Sequence, residues 1–254
     1  MKGNKTASKH KTLGARESRL IMTLLRLEKS VFGVSDANEI LNANGSSVRK
    51  ILFSLNRKGW IRRLSQGTYE LVGEWIKKQE IAAIAARQVW PSYLSLWSAL
   101  NRYGLTEQAP QTLFFVTSAR GRKLLMNNVE CIFCHVSKDR FFGYVREDSL
   151  DLAEKEKAIV DSLYLVGRVP FDEIEKTFLS GENLDVDKLV EYARRMHSKS
   201  LVKRLGYLLD RAKLLNGKNE RSLLKDIGIG YSLLDPGGPK TGRFDTKWLL
   251  IINR

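Results

Sequence analysis

Residues 46–72 read SSVRKILFSLNRKGWIRRLSQGTYELV. Val48, Ile51, Leu52 and Leu55 recur at offsets of three, four and seven, the spacing of one buried stripe along an α-helix. Ser46, Ser47, Arg49, Lys50, Phe53, Ser54, Asn56 and Arg57 face away from that stripe, and no Asp or Glu occurs between Ser46 and Gly67. A solvated helix normally mixes signs, so an acid-free face anticipates a polyanion.

Gly59 stands where a left-handed cap would end this helix. Trp60-Ile61-Arg62-Arg63-Leu64 then has the aromatic and β-branched content of a strand, Ser65-Gln66-Gly67 makes a turn, and Thr68 to Val72 returns as a second strand. Upstream, Leu20, Ile21, Leu24, Leu25 and Leu27 mark a helix from Ser18 to Leu27. Ser35-Asp36 opens another through Leu41, and the Asn44-Gly45 turn leads to Ser46 as the expected N-cap of the third. Three helices and a hairpin follow the order of a winged helix-turn-helix. The expected DNA-reading set is Ser46, Ser47, Arg49, Lys50, Phe53, Ser54 and Arg57 in the major groove, with Lys58, Arg62, Arg63 and Gln66 at phosphates beside it. A winged helix used as a protein-docking or RNA-binding surface is the alternative, since fold does not settle function.

The charge distribution agrees. The 254 residues carry a formal net charge of +15, and residues 1–80 hold 16 Lys and Arg against 7 Asp and Glu. Such a chain is drawn to nucleic acid or to an anionic surface. The opening MKGNKTASKHKTLGA is polar and basic with no apolar core, so residues 1–15 are expected to be a disordered arm and not a signal peptide. No run approaches the roughly 18 apolar residues of a membrane helix, and a cytoplasmic protein is expected.

The length predicts two domains. The winged helix takes residues 16–76. A connecting helix, read from Glu74 to Arg87 with Trp75, Ile76, Ile81 and Ile84, occupies 77–91 and is stopped by Trp90-Pro91, and an α+β domain fills 92–254. In that domain Tyr93 to Tyr103 reads as a helix. Thr112 to Thr117, Val129 to Val136 and Phe141 to Val145 read as strands. Leu152 to Val166, Val186 to His197, Leu201 to Leu215 and Ser222 to Ile227 have helical period, and Lys247 to Asn253 closes as a strand.

The strings YLSLWSALNRYGL, QTLFFVTSARGRK, FFGYV, LAEKEKAIVDSLYLVGRV, LGYLLD and LLDPGGPKTGRFDTKW follow one another through residues 93–248. In order and spacing they resemble the second domain of the AbiEi-type antitoxins, transcriptional regulators of type IV toxin-antitoxin and phage-defence systems that also begin with a winged helix. The resemblance implies an antitoxin that binds repeats in its own promoter on double-stranded DNA and represses the operon, with a nucleotidyltransferase-like toxin as partner. It also implies that basic faces of the second domain assist DNA binding. Two basic runs stand ready for such a role or for a toxin's acidic surface: Arg120, Arg122 and Lys123, and Arg194, Arg195, Lys199, Lys203 and Arg204. Each is by default a solvated face.

Other motifs read as structure. Cys131-Ile132-Phe133-Cys134-His135 matches the c-type haem string, but it lies in a strand, where residues three apart point to opposite faces. His10 and His197 are too distant in sequence to complete a zinc site. Gly237-Gly238-Pro239-Lys240-Thr241 has Pro where a phosphate loop requires Gly and is expected to be a surface loop held by Trp248. Glu154, Glu156 and Asp161 alternate with Lys155 and Lys157 and are expected to be a solvated helix end. Ser92, Ser95 and Ser98 have no sequence neighbour that would activate them. No enzyme, metal or cofactor is expected.

Overall fold

The computed structural model describes residues 12–73, 78–179 and 183–254. Most of the expected arm, and Trp75 and Ile76 of the expected connecting helix, lie outside them. The chain is of the α+β class and divides into two compact units, Met1–Ile84 and Ala85–Arg254, a division that falls inside the helix before Trp90.

The first unit runs α1 (Ala15–Arg26), β1 (Val31–Gly33), α2 (Val34–Leu41), α3 (Gly45–Lys58), β2 (Ile61–Ser65) and β3 (Thr68–Leu71). Its sheet has the order β1-β3-β2, all antiparallel. This is the winged helix-turn-helix, with a short strand, β1, that its three residues were too few to announce. Leu20, Ile21 and Leu24 of α1, Phe32 of β1, Ala37 and Leu41 of α2, Val48, Leu52 and Leu55 of α3, and Ile61 and Leu71 of the hairpin make one core. Ile51 sits at the margin of the stripe and is half-buried. Gly59 closes α3 at φ +83°, its N–H donating to Asn56 O; an L side chain there would be strained. At the other end the N-cap is Asn44, whose Oδ1 accepts from the Ser47 amide at 3.2 Å. The expectation of Ser46 as cap is corrected: Asn44 places its carbonyl oxygen three residues before the orphan donor, and Ser46 falls inside the helix.

The second unit holds a six-stranded mixed sheet of order β6-β7-β5-β4-β9-β8. Its strands are β4 (Ser92–Leu94), β5 (Leu113–Thr117), β6 (Arg122–Met126), β7 (Val129–His135), β8 (Tyr144–Glu147) and β9 (Leu150–Ala153). The helices are α4 (Lys78–Gln88), which enters it, α5 (Leu96–Arg102), α6 (Lys155–Tyr164), α7 (Phe171–Leu179), α8 (Val186–Arg195), α9 (Lys199–Arg211) and α10 (Gly217–Asp226). A small sheet of β10 (Ser232–Leu233), β12 (Leu250–Ile252) and β11 (Arg243–Asp245), in that order, closes the chain.

All five residues of β5 are buried, the mark of a strand covered on both faces. Phe115 of β5 and its register partner Phe133 of β7 stack at 4.5 Å between ring centroids. Three sequence readings are corrected here. Tyr93-Leu94 belongs not to a helix but to β4, because it pairs with β5 and β9 through backbone bonds that no local period reports. Leu152-Ala153 ends β9 instead of opening α6. Phe141 and Phe142 precede β8 and pack instead as rings, Phe141 on Tyr93 at 5.0 Å and Phe142 on Tyr192 at 5.3 Å. Strand β6 and helix α7 were not anticipated.

Candidate nucleic-acid interface

Helix α3 carries its cations on the face opposite the core. Ser46, Arg49, Lys50, Phe53, Asn56 and Arg57 are exposed, and Phe53 keeps 68% of its surface open in the midst of Arg49, Lys50 and Arg57. The positions 49, 53 and 57 are four apart, so the aromatic ring is flanked by two arginines along one line of the helix. Among the described residues, Arg49, Lys50, Arg57 and Arg63 form no ion pair with a carboxylate.

Three members of the expected set are engaged elsewhere. Lys58 Nζ lies 2.5 Å from Glu17 Oε2 of α1, and the Ser54 hydroxyl lies near the same carboxylate. Burial pushes the Glu17 carboxyl up, but the bonds from Lys58 and the Gly14 amide, with the nearby Ser54 hydroxyl and the Lys58 charge, outweigh it and hold it below the ordinary glutamate range. Arg62 stands opposite Glu70 in the β2–β3 register and pairs with its buried carboxylate at 3.5 Å. The acid-free stretch is therefore acid-free only in sequence: Glu17 and Glu70 reach it from neighbouring elements. Lys58 and Arg62, expected at phosphates, are thus each paired with a carboxylate in this structure. Arg63 alternates to the exposed side of β2, where its Nε donates to Ser65 O at 3.2 Å. Gln66 lies exposed beside Gly67, which turns the wing at φ +79°.

The two basic runs of the second unit fare differently. Arg122 and Lys123 are consecutive in β6 and so point to opposite faces; Arg122 donates to Gln88 O, and Lys123 pairs with Glu130 at 3.3 Å. With Arg120 exposed in the preceding loop, they do not form one cluster. In the second run, Arg194, Arg195 and Lys199 line a common concavity with His197 and Asp226. Lys203 and Arg204 are instead buried in α9, which corrects their reading as a solvated face. Lys203 donates to Gly230 O, and Arg204 to the carbonyls of Leu233 and Leu234 at 3.1 Å each. They tie α9 to the closing sheet by satisfying carbonyls that a short β10 leaves open.

Helix α6 is buried on every side, so the expected solvated end is also corrected. Lys157 and Asp161, four residues apart, are fully buried and paired. Tyr93 OH accepts from Lys157 at 2.9 Å and donates to Asp161 at 3.1 Å, and Ser95 Oγ donates to Asp161 at 2.8 Å. Burial, and then the Asp161 charge, push the Tyr93 hydroxyl well up, so it stays protonated. Ser95 thus has an aspartate beside it, contrary to the sequence reading, but no solvent reaches the group. The signal was present in AEKEKAIVDSLYLV: a Lys and an Asp at helical spacing inside an apolar run.

Cys131 and Cys134 are free thiols, both buried on opposite faces of β7. Burial pushes the Cys134 thiol up. The Pro-Gly loop is held by Asn253, whose Nδ2 donates to Asp235 O at 2.7 Å and Pro239 O at 2.6 Å. Trp248 instead bonds Asp210 through Nε1 at 2.9 Å. Among the described residues no group of three or more His, Cys, Asp or Glu is placed to hold a metal ion, and no helix is long and apolar enough to cross a membrane.

By fold the chain is a winged helix-turn-helix followed by a mixed α+β unit. It is similar to the crystal structure of the Rv2827c protein from Mycobacterium tuberculosis, with a TM-score of 0.65 and 16% identity over 94% of this chain and 92% of that one. At that identity the similarity concerns the fold alone. No family model matches the chain, and no curated protein does.

Proposed function

We propose that the protein is a sequence-specific DNA-binding transcriptional regulator, an autorepressing antitoxin of a toxin-antitoxin or phage-defence system, that acts without catalysis in the cytoplasm. The observation that carries the DNA reading is the exposed face of α3. Arg49, Lys50 and Arg57 surround Phe53 there with no carboxylate paired to them among the described residues. On a winged helix this face enters a major groove, where a bidentate arginine discriminates guanine by about 1–3 kcal/mol. Phe53 offers an apolar surface to a thymine methyl. Arg63 and Gln66 at the wing tip would meet the flanking backbone.

The antitoxin role rests on the resemblance of residues 93–248 to the AbiEi-type second domain, and the partner it implies is a nucleotidyltransferase-like toxin. The test is binding of the full chain to its own upstream DNA and to a scrambled duplex, by fluorescence anisotropy across a salt series. Tight binding to the upstream DNA alone at physiological salt supports an autoregulating repressor. Equal, steeply salt-dependent binding to both refutes operator specificity and turns the search to a protein or RNA partner.

A further inference from the structure

The end of α8 and the start of α9 enclose a concavity of about 590 Å³, lined by Arg194, Arg195, His197, Lys199 and Asp226. Two of its cations are explained by the fold. Arg194 and Arg195 close the last turn of α8, where positive charge is favoured by the helix dipole, and Arg194 is paired with Asp226 at 2.5 Å. Lys199 forms no ion pair among the described residues, and its side chain runs against Gly228, just beyond the C-terminal end of α10. It opens α9, the end at which a cation is disfavoured, and the first turn of α9 holds no acid. Its charge also bears on Lys203 below it. Burial first, and Lys199 second, push the Lys203 ammonium down. Asp226 is the one carboxylate lining the concavity among the described residues, and it is already taken.

Arg195 has a second feature. Its guanidinium centre lies 3.8 Å from the centroid of the Phe142 ring. Stacking on a ring fixes the plane of the guanidinium while leaving its N–H edges open to a planar or tetrahedral oxyanion. A guanidinium held against a ring, a lysine with no ion pair among the described residues and an imidazole therefore line one hollow.

We propose that this concavity binds the terminal phosphates of a small polyphosphate ligand, with Arg195 and Lys199 as its principal contacts. The concave shape decides between the two sources of phosphate. A duplex backbone is a convex ridge of diesters that meets flat or protruding cations, whereas a terminal phosphate projects and can enter a recess. The proposal goes beyond the DNA reading of α3 and stands or falls without it.

The test is isothermal titration of the full chain with sodium pyrophosphate at low salt. The expected result is saturable binding at one site, weakened at least about tenfold in the Arg195→Gln/Lys199→Gln double variant. Lys240→Gln, in the Pro-Gly loop, should bind as the parent does. Arg195→Lys, which keeps the charge but loses the fork, should fall between parent and double variant. Matching near-ultraviolet circular dichroism of the variants separates lost binding from lost fold, and with Lys199→Gln alone, whose side chain is exposed, a weakened affinity is still expected. Absent saturable binding to the parent, or equal binding by the double variant, would overturn the proposal. So would full competition by a blunt duplex that lacks terminal phosphates, because the hollow would then be reading backbone.

Discussion

Lys58 in the last turn of α3 and Glu17 in the first turn of α1 form an ion pair at 2.5 Å, three-quarters or more removed from solvent on both sides. The pair sets how α3 stands on α1, and so how its exposed arginines are presented. Glu17→Gln or Lys58→Met should lower the stability of the winged helix by about 1–3 kcal/mol, since each leaves one buried partner behind, as urea denaturation would measure. The Glu17 carboxyl is held below its usual range in the folded state. Its contribution is therefore complete above the unfolded value of about 4.3 and lost as pH falls through the lower folded value. The parent should lose this increment in acid, and Glu17→Gln, having none to lose, should show a flatter profile there.

Arg57 and Arg63 should separate reading from holding. Arg57→Ala is expected to reduce the preference for upstream over scrambled DNA by about 1–3 kcal/mol. Arg63→Ala should weaken all sequences alike and lower the salt slope by about 0.9. Arg62→Ala, which removes a cationic partner of the buried Glu70 carboxylate, should act mainly on melting temperature. Equal loss on every sequence from Arg57→Ala and Arg63→Ala would contradict the division.

The buried pair of α6 should tolerate joint replacement better than single. Asp161→Ala leaves the Lys157 ammonium without its counter-charge in a site of no exposure, and about 3–5 kcal/mol of stability should be lost. Lys157→Met/Asp161→Leu removes both charges and should cost markedly less in the same denaturant series, the remainder reflecting Tyr93 and Ser95, which would lose a shared acceptor.

Gly206 lies in the middle of α9, where alanine is the better helix former by about 1 kcal/mol. A methyl group at that position would nevertheless overlap the ring of the fully buried Trp248. Gly206→Ala should therefore destabilise the second unit by about 1–3 kcal/mol, with a shift in tryptophan emission that reports the displaced ring.

Much of the first unit was legible because its signals are local. The 3.6-residue period of Val48, Leu52 and Leu55, the left-handed cap at Gly59 and the turn at Gly67 each need only near neighbours, and all three stand where the chain says they should. The exposure of Arg49, Lys50, Phe53 and Arg57 follows from the same period. What the sequence could not contain was pairing across distance. Glu17 lies 41 residues from Lys58, and only the packing of α1 on α3 brings it to a lysine that otherwise reads as free.

The second unit was less legible for the same reason. Strand β4 exists because β5 and β9 flank it, and Tyr93-Leu94 by itself fits a helix equally well. Lys203 and Arg204 read as surface charges until the carbonyls of Gly230, Leu233 and Leu234 close over them. Local signals thus determined the three helices and the wing of the first unit and the cationic face of α3. Tertiary structure alone decided which charges are neutralised, because desolvation and ion pairing depend on what folds against a side chain and not on what precedes it.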